Sequence, residues 1–304
     1  MENGSLNTGK KKAFLDSPKH VLLFLAAVVF MCMILGSGII AVACKLQGLD
    51  FQEVVKSFGQ DSSAELRNFM RGALMSNHLL SFLVPAMITG WVFYKKNWPT
   101  ELGVRYAPDV RNLALGVLLV ALCFPLAQAA FSANRWLVER IGWLEALVQT
   151  ESATENLMEG LLVMQSPFEL AFSFLVMAIV PAVGEEMLFR GLVQKQLQRL
   201  FANPIVAVLV TALIFGLAHF QVQRFFAIFL LGTVLGLLFH WTKNLWVPIA
   251  GHLVFNGTQV LTAYFNQEKL AEMNTGDELQ IPITVTLLFL AAAVFIANKI
   301  IKNG

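Results

Sequence analysis

Residues His20–Ala43 read HVLLFLAAVVFMCMILGSGIIAVA, a stretch without a single Asp, Glu, Lys or Arg. A bilayer core about 30 Å thick is crossed by about 20 mostly apolar helical residues, and this stretch has that length. It is too long and too late in the chain for a simple signal peptide. It also lacks a small-residue cleavage pattern leading into a polar chain, so it reads as a retained span. Seven further segments pass the same test: Leu79–Tyr94, Leu113–Phe131, Phe168–Gly184, Pro204–Phe220, Phe225–Trp241, Trp246–Phe265 and Ile281–Ala297. The composition agrees. Of 304 residues, 57% are hydrophobic and 14% charged, where a soluble domain carries about 25% charged residues. The mean hydropathy is +0.65. A net charge of +2 offers no footprint for a nucleic acid. Cys32, Cys44 and Cys123 show no CxxC spacing and sit in or beside apolar runs, as buried small hydrophobes do. The expected fold is all-α, a polytopic membrane protein with a bundle of about eight transmembrane helices.

Charge gives the orientation, because Lys and Arg collect on the cytoplasmic side. With the N-terminus inside, 14 of the 22 basic residues fall on inner segments and 8 on outer ones. Eight spans return the C-terminus to the inside, where Lys299 and Lys302 fit. Both termini are therefore expected in the cytoplasm. The chain divides into a polar cytoplasmic arm at 1–19, N-terminal spans with two long outer loops at 20–167, a chemistry-bearing segment at 168–262, and an outer loop with the last span at 263–304. The two outer loops are 44–78 and 132–167. The second holds an amphipathic pattern with Trp136, Leu137, Ile141, Trp143, Leu144, Leu147 and Val148 on one side. It fits a helix at the water–lipid boundary or one packed on the outside of the bundle.

Ionisable residues inside apolar runs are costly and are either paired or functional. Here they cluster in 181–256, in three groups. The first is Glu185-Glu186-Met-Leu-Phe-Arg190, where Glu186 and Arg190 stand four apart with the acid N-terminal to the base, the favourable order on a helix. Glu185 points about 100° away and is free to face another partner. Pro181 cannot donate to the carbonyl of Met177, so a kink is expected one turn before the acids. The competing reading is a helix end at the membrane surface with a solvated acid pair. The second group is Phe215-Gly-Leu-Ala-His219. The third is His252-Leu-Val-Phe-Asn256, whose imidazole and amide share a helix face. Each alone fits ordinary interhelical hydrogen bonds. Together, two carboxylates, two imidazoles, an amide and a guanidinium suffice for hydrolysis by water, since no Ser or Cys stands beside them as a nucleophile. His20 and His78 stand at span edges and His240 ends a span near Lys243, positions that carry little weight. Gly232-x-x-x-Gly236 fits close helix packing.

The order Glu185-Glu186-x-x-x-Arg190, Phe215-x-x-x-His219, His252-x-x-x-Asn256 resembles the CPBP family, also called Abi, of CAAX prenyl endopeptidases and bacteriocin-processing or immunity proteins. Glu101-Leu-Gly-Val-Arg105 is similar to a weaker feature of that family. The resemblance implies an intramembrane endopeptidase whose site opens toward the cytoplasm. It implies that Glu185 activates water with the help of His219, that Glu186 is the supporting acid with Arg190 its ion-pair partner, and that His252 and Asn256 steady the oxyanion. Glu185, Glu186, His219 and His252 are also a candidate ligand set for a divalent metal such as zinc. No other cofactor is expected. Compact loops and the absence of organelle targeting point to a bacterial inner (plasma) membrane. The expected partners are membrane lipid and a membrane-associated peptide or lipid-anchored protein. The alternative is a non-catalytic immunity or scaffold protein on the same bundle. A transporter would need internal symmetry, which the sequence lacks.

Overall fold

A computed structural model describes residues 17–149, 152–267 and 281–303, with side chains at all but 149 and 152–155 of them. The arm up to residue 16 and the greater part of the loop expected after residue 262 lie outside the described residues. Everything described is helix, turn or connection, with no strand. In chain order the helices are α1 (Pro18–Leu46), α2 (Phe51–Ser57), α3 (Ala64–Leu102), α4 (Val110–Val138), α5 (Gly142–Gln149), α6 (Ser152–Leu162), α7 (Pro167–Leu200), α8 (Pro204–Ala218), α9 (Phe225–Thr242), α10 (Trp246–Phe265) and α11 (Ile283–Ile301). Their starts carry the expected signals. Side chains of Asp50, Ser63, Asp109 and Ser166 accept backbone N–H groups of the first turns of α2, α3, α4 and α7.

Among the described residues, six helices are long and apolar enough to cross a membrane: α1, α3, α4, α7, α9 and α11. The chain is thus a multi-pass all-α membrane protein. The other two expected spans also fall on helices. α8 is apolar but only 15 residues long. α10 has 20 residues, and His252, Asn256, Thr258 and Gln259 dilute its apolarity.

Two boundaries differ from expectation. The segment 44–78 is not a loop throughout, because α3 begins at Ala64. Arg67 and Arg71 on its first turns are buried against Glu169 of α7, with nitrogen–oxygen distances of 3.1 and 2.9 Å. Ionisable residues buried in the bundle are therefore not confined to 181–256. Hydropathy alone hides this, since a guanidinium counts as polar whether or not a carboxylate covers it. The second difference is α7, which continues past Gly184 to Leu200. Glu185 and Glu186 are thus mid-helix and buried rather than at a solvated end.

Pro181 does not end α7. Just upstream, Leu175–Ile179 forms a wide π-helical turn, with the Val180 N–H donated to the Leu175 carbonyl. The same device stands in α3, where Leu79–Leu83 is π-helical ahead of Pro85. Both turns run from a Leu into Val-Pro-Ala, at Val84-Pro85-Ala86 and Val180-Pro181-Ala182. Such turns absorb the bond that proline cannot make, and they recur at functional sites. In the former loop 132–167, Trp136, Trp143 and Leu147 are exposed, whereas Leu137, Ile141, Leu144 and Val148 are half-buried, so the apolar side of this segment is partly covered.

Glycines set the closest crossings. A Cβ on Gly236 of α9 would stand 2.8 Å from Gln194 Oε1 and 2.9 Å from Val208, and one on Gly232 would stand 3.1 Å from Phe215. Gly232-x-x-x-Gly236 is thus an internal packing face. It lets Arg190 and Gln194 of α7 donate to the Gly232 and Gly236 carbonyls, each at 2.9 Å. Gly236→Leu is expected to destabilise the protein by about 1–3 kcal/mol through overpacking. Gly38→Leu in α1, where a Cβ meets nothing within 4 Å, should not. Thermal unfolding in detergent separates them, and equal midpoints would remove the packing argument.

Candidate active site

The lengths of α7 and α8 bring the acids to His219. α8 starts four residues after α7 ends and lies back along it. Its 15 residues are of similar length to the 16 from Glu185 to Leu200, of which Met187–Gln194 are π-helical. His219 follows the last helical residue of α8 and so stands level with Glu185. His219 Nε2 is 3.9 Å from Glu185 Oε2, and His252 Nε2 from α10 is 3.9 Å from the same oxygen.

Glu186 faces the other way. Its Oε1 accepts from Arg190 Nη1 at 2.8 Å and lies 2.9 Å from His252 Nδ1. A carboxylate paired with an always-charged guanidinium accepts and does not donate, so His252 carries its proton on Nδ1. The same logic fixes His219, whose Nδ1 is 2.7 Å from the Phe215 carbonyl, an acceptor only. Each neutral imidazole therefore presents the bare Nε2 lone pair to Glu185. Glu185 Oε2 is buried without a hydrogen-bond partner among the described residues. Three acceptors thus converge on one small volume, and that volume suits a water, a proton or a cation.

Phe215 is the packing centre. Its ring lies edge-on to His219 at 4.5 Å and to Phe189 at 5.1 Å, and the Arg190 guanidinium stands over it at 4.6 Å. It thus holds both the charged partner of Glu186 and the histidine facing Glu185. Glu185 and His252 have side-chain exposures of 5% and 3%, whereas His219 has 29%, so the site opens past His219. Asn256 lies one turn beyond His252 on α10, half-buried, and no hydrogen bond holds its amide among the described residues. Five of the six expected residues are thus linked by contacts, and Asn256 shares only the helix.

Two groups have a weight that sequence reading missed. His78, placed at a span edge, is in mid-α3 with Nε2 3.4 Å from Glu185 Oε1. Gln194 is fully buried and continues the i, i+4 row of Glu186 and Arg190. The signal for His78 lay in recognising that helix α3 starts before the apolar run does.

Among the described residues, no group of three or more His, Cys, Asp or Glu side chains is spaced to hold a metal ion as placed. Metal-ligating histidines do, however, donate their second nitrogen to a carbonyl or carboxylate, and His219 and His252 both do so. The donor types therefore suit zinc, while the 3.9 Å spacings are wide for ligands of one ion.

Residues 167–258 match the family described as Type II CAAX prenyl endopeptidase Rce1-like. The chain is 36% identical over 104 residues to the membrane-embedded CAAX protease MroQ of Staphylococcus aureus, covering 33% of this chain and 42% of that protein. It is 31% identical over 84 residues to the uncharacterized protein YpbD of Bacillus subtilis, covering 26% of this chain and 40% of that protein. The similarity thus spans about two fifths of the length of either relative. No solved structure matches.

The Glu186–Arg190 pair carries a stability consequence. Removing one partner of a buried pair typically costs about 3–5 kcal/mol, because the other charge is left unpaired. Arg190→Leu is expected to lower the stability by that amount in detergent, and Arg190→Leu with Glu186→Leu to recover more than half of it. Equal loss in the single and double variants would speak against the ion pair as the anchor.

Proposed function

The chain belongs to the CPBP/Abi family, and on that premise we propose that it is an intramembrane endopeptidase. It hydrolyses a peptide bond in a membrane-associated peptide or a lipid-anchored protein, using water activated by Glu185. The observation that carries this reading is the unpartnered Glu185 Oε2, 3.9 Å from the Nε2 atoms of His219 and His252. One water, with hydrogen bonds of about 2.8 Å, spans such a gap. Glu185 takes a proton from it as its oxygen attacks the scissile carbonyl carbon, and His219 Nε2 accepts its other hydrogen and orients it. His252, on taking up a solvent proton at its otherwise bare Nε2, donates from it to the resulting oxyanion. The Glu186 carboxylate on its Nδ1 balances that charge, and the Asn256 amide is the second donor. The proton on Glu185 then passes to the leaving amine as the carbon–nitrogen bond breaks. Arg190 holds Glu186 in place.

A divalent metal is the second reading, favoured by the Nδ1–H partners of both histidines. Glu185, His219 and His252 would hold it, and it would supply Lewis-acid activation of water. The distribution of Lys and Arg supports both termini in the cytoplasm, and the compact loops support a bacterial inner membrane with lipid around the bundle.

The test is purified protein in nanodiscs with a proteome-derived peptide library, read by mass spectrometry. Glu185→Gln is expected to lower cleavage by at least about 100-fold and His219→Ala to lower it strongly. Dialysis against a zinc chelator lowers it only under the metal reading. Undiminished cleavage by Glu185→Gln would sink the mechanism. A cellular phenotype that survives Glu185→Gln and His219→Ala would favour a non-catalytic immunity or scaffold role.

A further inference from the structure

We propose that His78 is a positioning residue for Glu185. It holds Oε1 through an Nε2–H donor, so that Oε2 stays turned toward His219 and His252. Its bearing on catalysis rests on the endopeptidase reading above, while its geometry does not.

Three imidazoles surround the Glu185 carboxylate, and they are not equivalent. His219 and His252 each have Nδ1 engaged, by the Phe215 carbonyl and by Glu186, and both face Oε2. His78 is the reverse. Its Nδ1 is buried and has no hydrogen-bond partner among the described residues, and its Nε2 lies 3.4 Å from Oε1. A neutral imidazole carries one N–H, and an acceptor carboxylate beside Nε2 draws the proton there. Of the three rings, His78 is therefore the donor. It distinguishes two oxygens that are otherwise alike. The terminal torsion of a glutamate is broad and roughly two-fold, so without a donor on one oxygen the carboxylate has no reason to keep the other facing the water site.

The fold is arranged to make this approach. The π-helical turn Leu79–Leu83 directly follows His78. α3 and α7 are in contact at Gly184, next to Glu185, where a Cβ would stand 3.4 Å from Leu83 N and from Phe82 Cβ, an ordinary van der Waals distance. The His78 ring packs on Phe82 at 5.5 Å, and Phe82 continues to Phe189 at 6.1 Å. His78 belongs to none of the three motifs and lies outside the matched residues 167–258.

Glutamine carries an N–H donor at the ε position and asparagine does not reach it. The experiment therefore compares His78→Gln, His78→Asn and His78→Ala on a peptide that the wild type cleaves in nanodiscs. Losing a partner that orients a reactive group typically costs about 10–100-fold. His78→Asn and His78→Ala are expected to lose that much kcat with KM within about 2-fold, and His78→Gln to recover most of the loss. If Gln is as impaired as Ala, or if none of the three loses activity, the proposal is overturned. A second measurement needs no substrate: ring-15N histidine spectra of wild type and Glu185→Gln, with His78 assigned by its absence in His78→Gln. The His78 resonance should report Nε2–H and shift in Glu185→Gln. An Nδ1–H signal, or one indifferent to Glu185, overturns the proposal. If no peptide is cleaved while the spectra behave as expected, the endopeptidase reading fails and the positioning contact stands.

Discussion

One oxygen of Glu186 organises this bundle. Its Oε1 receives Arg190 from the next turn of α7 and His252 from α10, while Arg190 also donates to the Gly232 carbonyl of α9. A carboxylate and a guanidinium in apolar surroundings each need several partners, or the desolvation cost is not offset. The partners that Glu186 Oε1 and the Arg190 terminal nitrogens do find tie three helices together, while Glu186 Oε2 and Arg190 Nε have no hydrogen-bond partner among the described residues. Gly232 and Gly236 are a consequence, because only a helix face without side chains lets Arg190 and Gln194 reach backbone carbonyls.

The rest of the site follows from that anchor. Glu186 holds Nδ1 of His252, so Nε2 of the same ring points to Glu185. α8 is short, so its end, with His219, stops beside the acids instead of carrying on across the bundle. Irregular turns in α3 and α7 take up the strain of two prolines and let these helices touch at Gly184. Each feature would weaken an isolated helix. In the bundle they serve a common purpose, which is to bring titratable rings from three helices to one carboxylate. Local departures from helical regularity at such a place are what a functional site produces.

Much of this was legible in the sequence. The eight apolar runs gave the all-α membrane fold, and the i, i+4 spacing of Glu186 and Arg190 gave an ion pair that the structure contains. What was not legible has a common cause. Hydropathy reads each residue alone, whereas burial of a charge is decided by its partner. Arg67 and Arg71 looked like loop residues because their partner, Glu169, lies 102 and 98 positions away. The same error set the start of α3 at Leu79 and left His78 at an edge. Likewise the acids of α7 could be read as a helix end until the partners on α9 and α10 were in view. Asn256 shows the opposite limit. Spacing put it on the face of His252, but the face of a helix spans more directions than a single contact.

The three acids of α7 differ in the groups that stand beside them. Glu169 is held by two guanidinium groups and the Gln165 N–H, and both its oxygens are occupied. Glu186 has Arg190. Guanidinium is charged at any accessible pH, so these two acids are committed to their partners. Among the described residues, no arginine or lysine is paired with Glu185. Its neighbours are the three imidazoles of His78, His219 and His252. A permanent cation would fix Glu185 as a structural anion, whereas imidazoles leave it able to exchange a proton with something placed between them. The same helix thus carries two acids tied to guanidinium groups and one faced by imidazoles, and it is the last that the proposed mechanism uses.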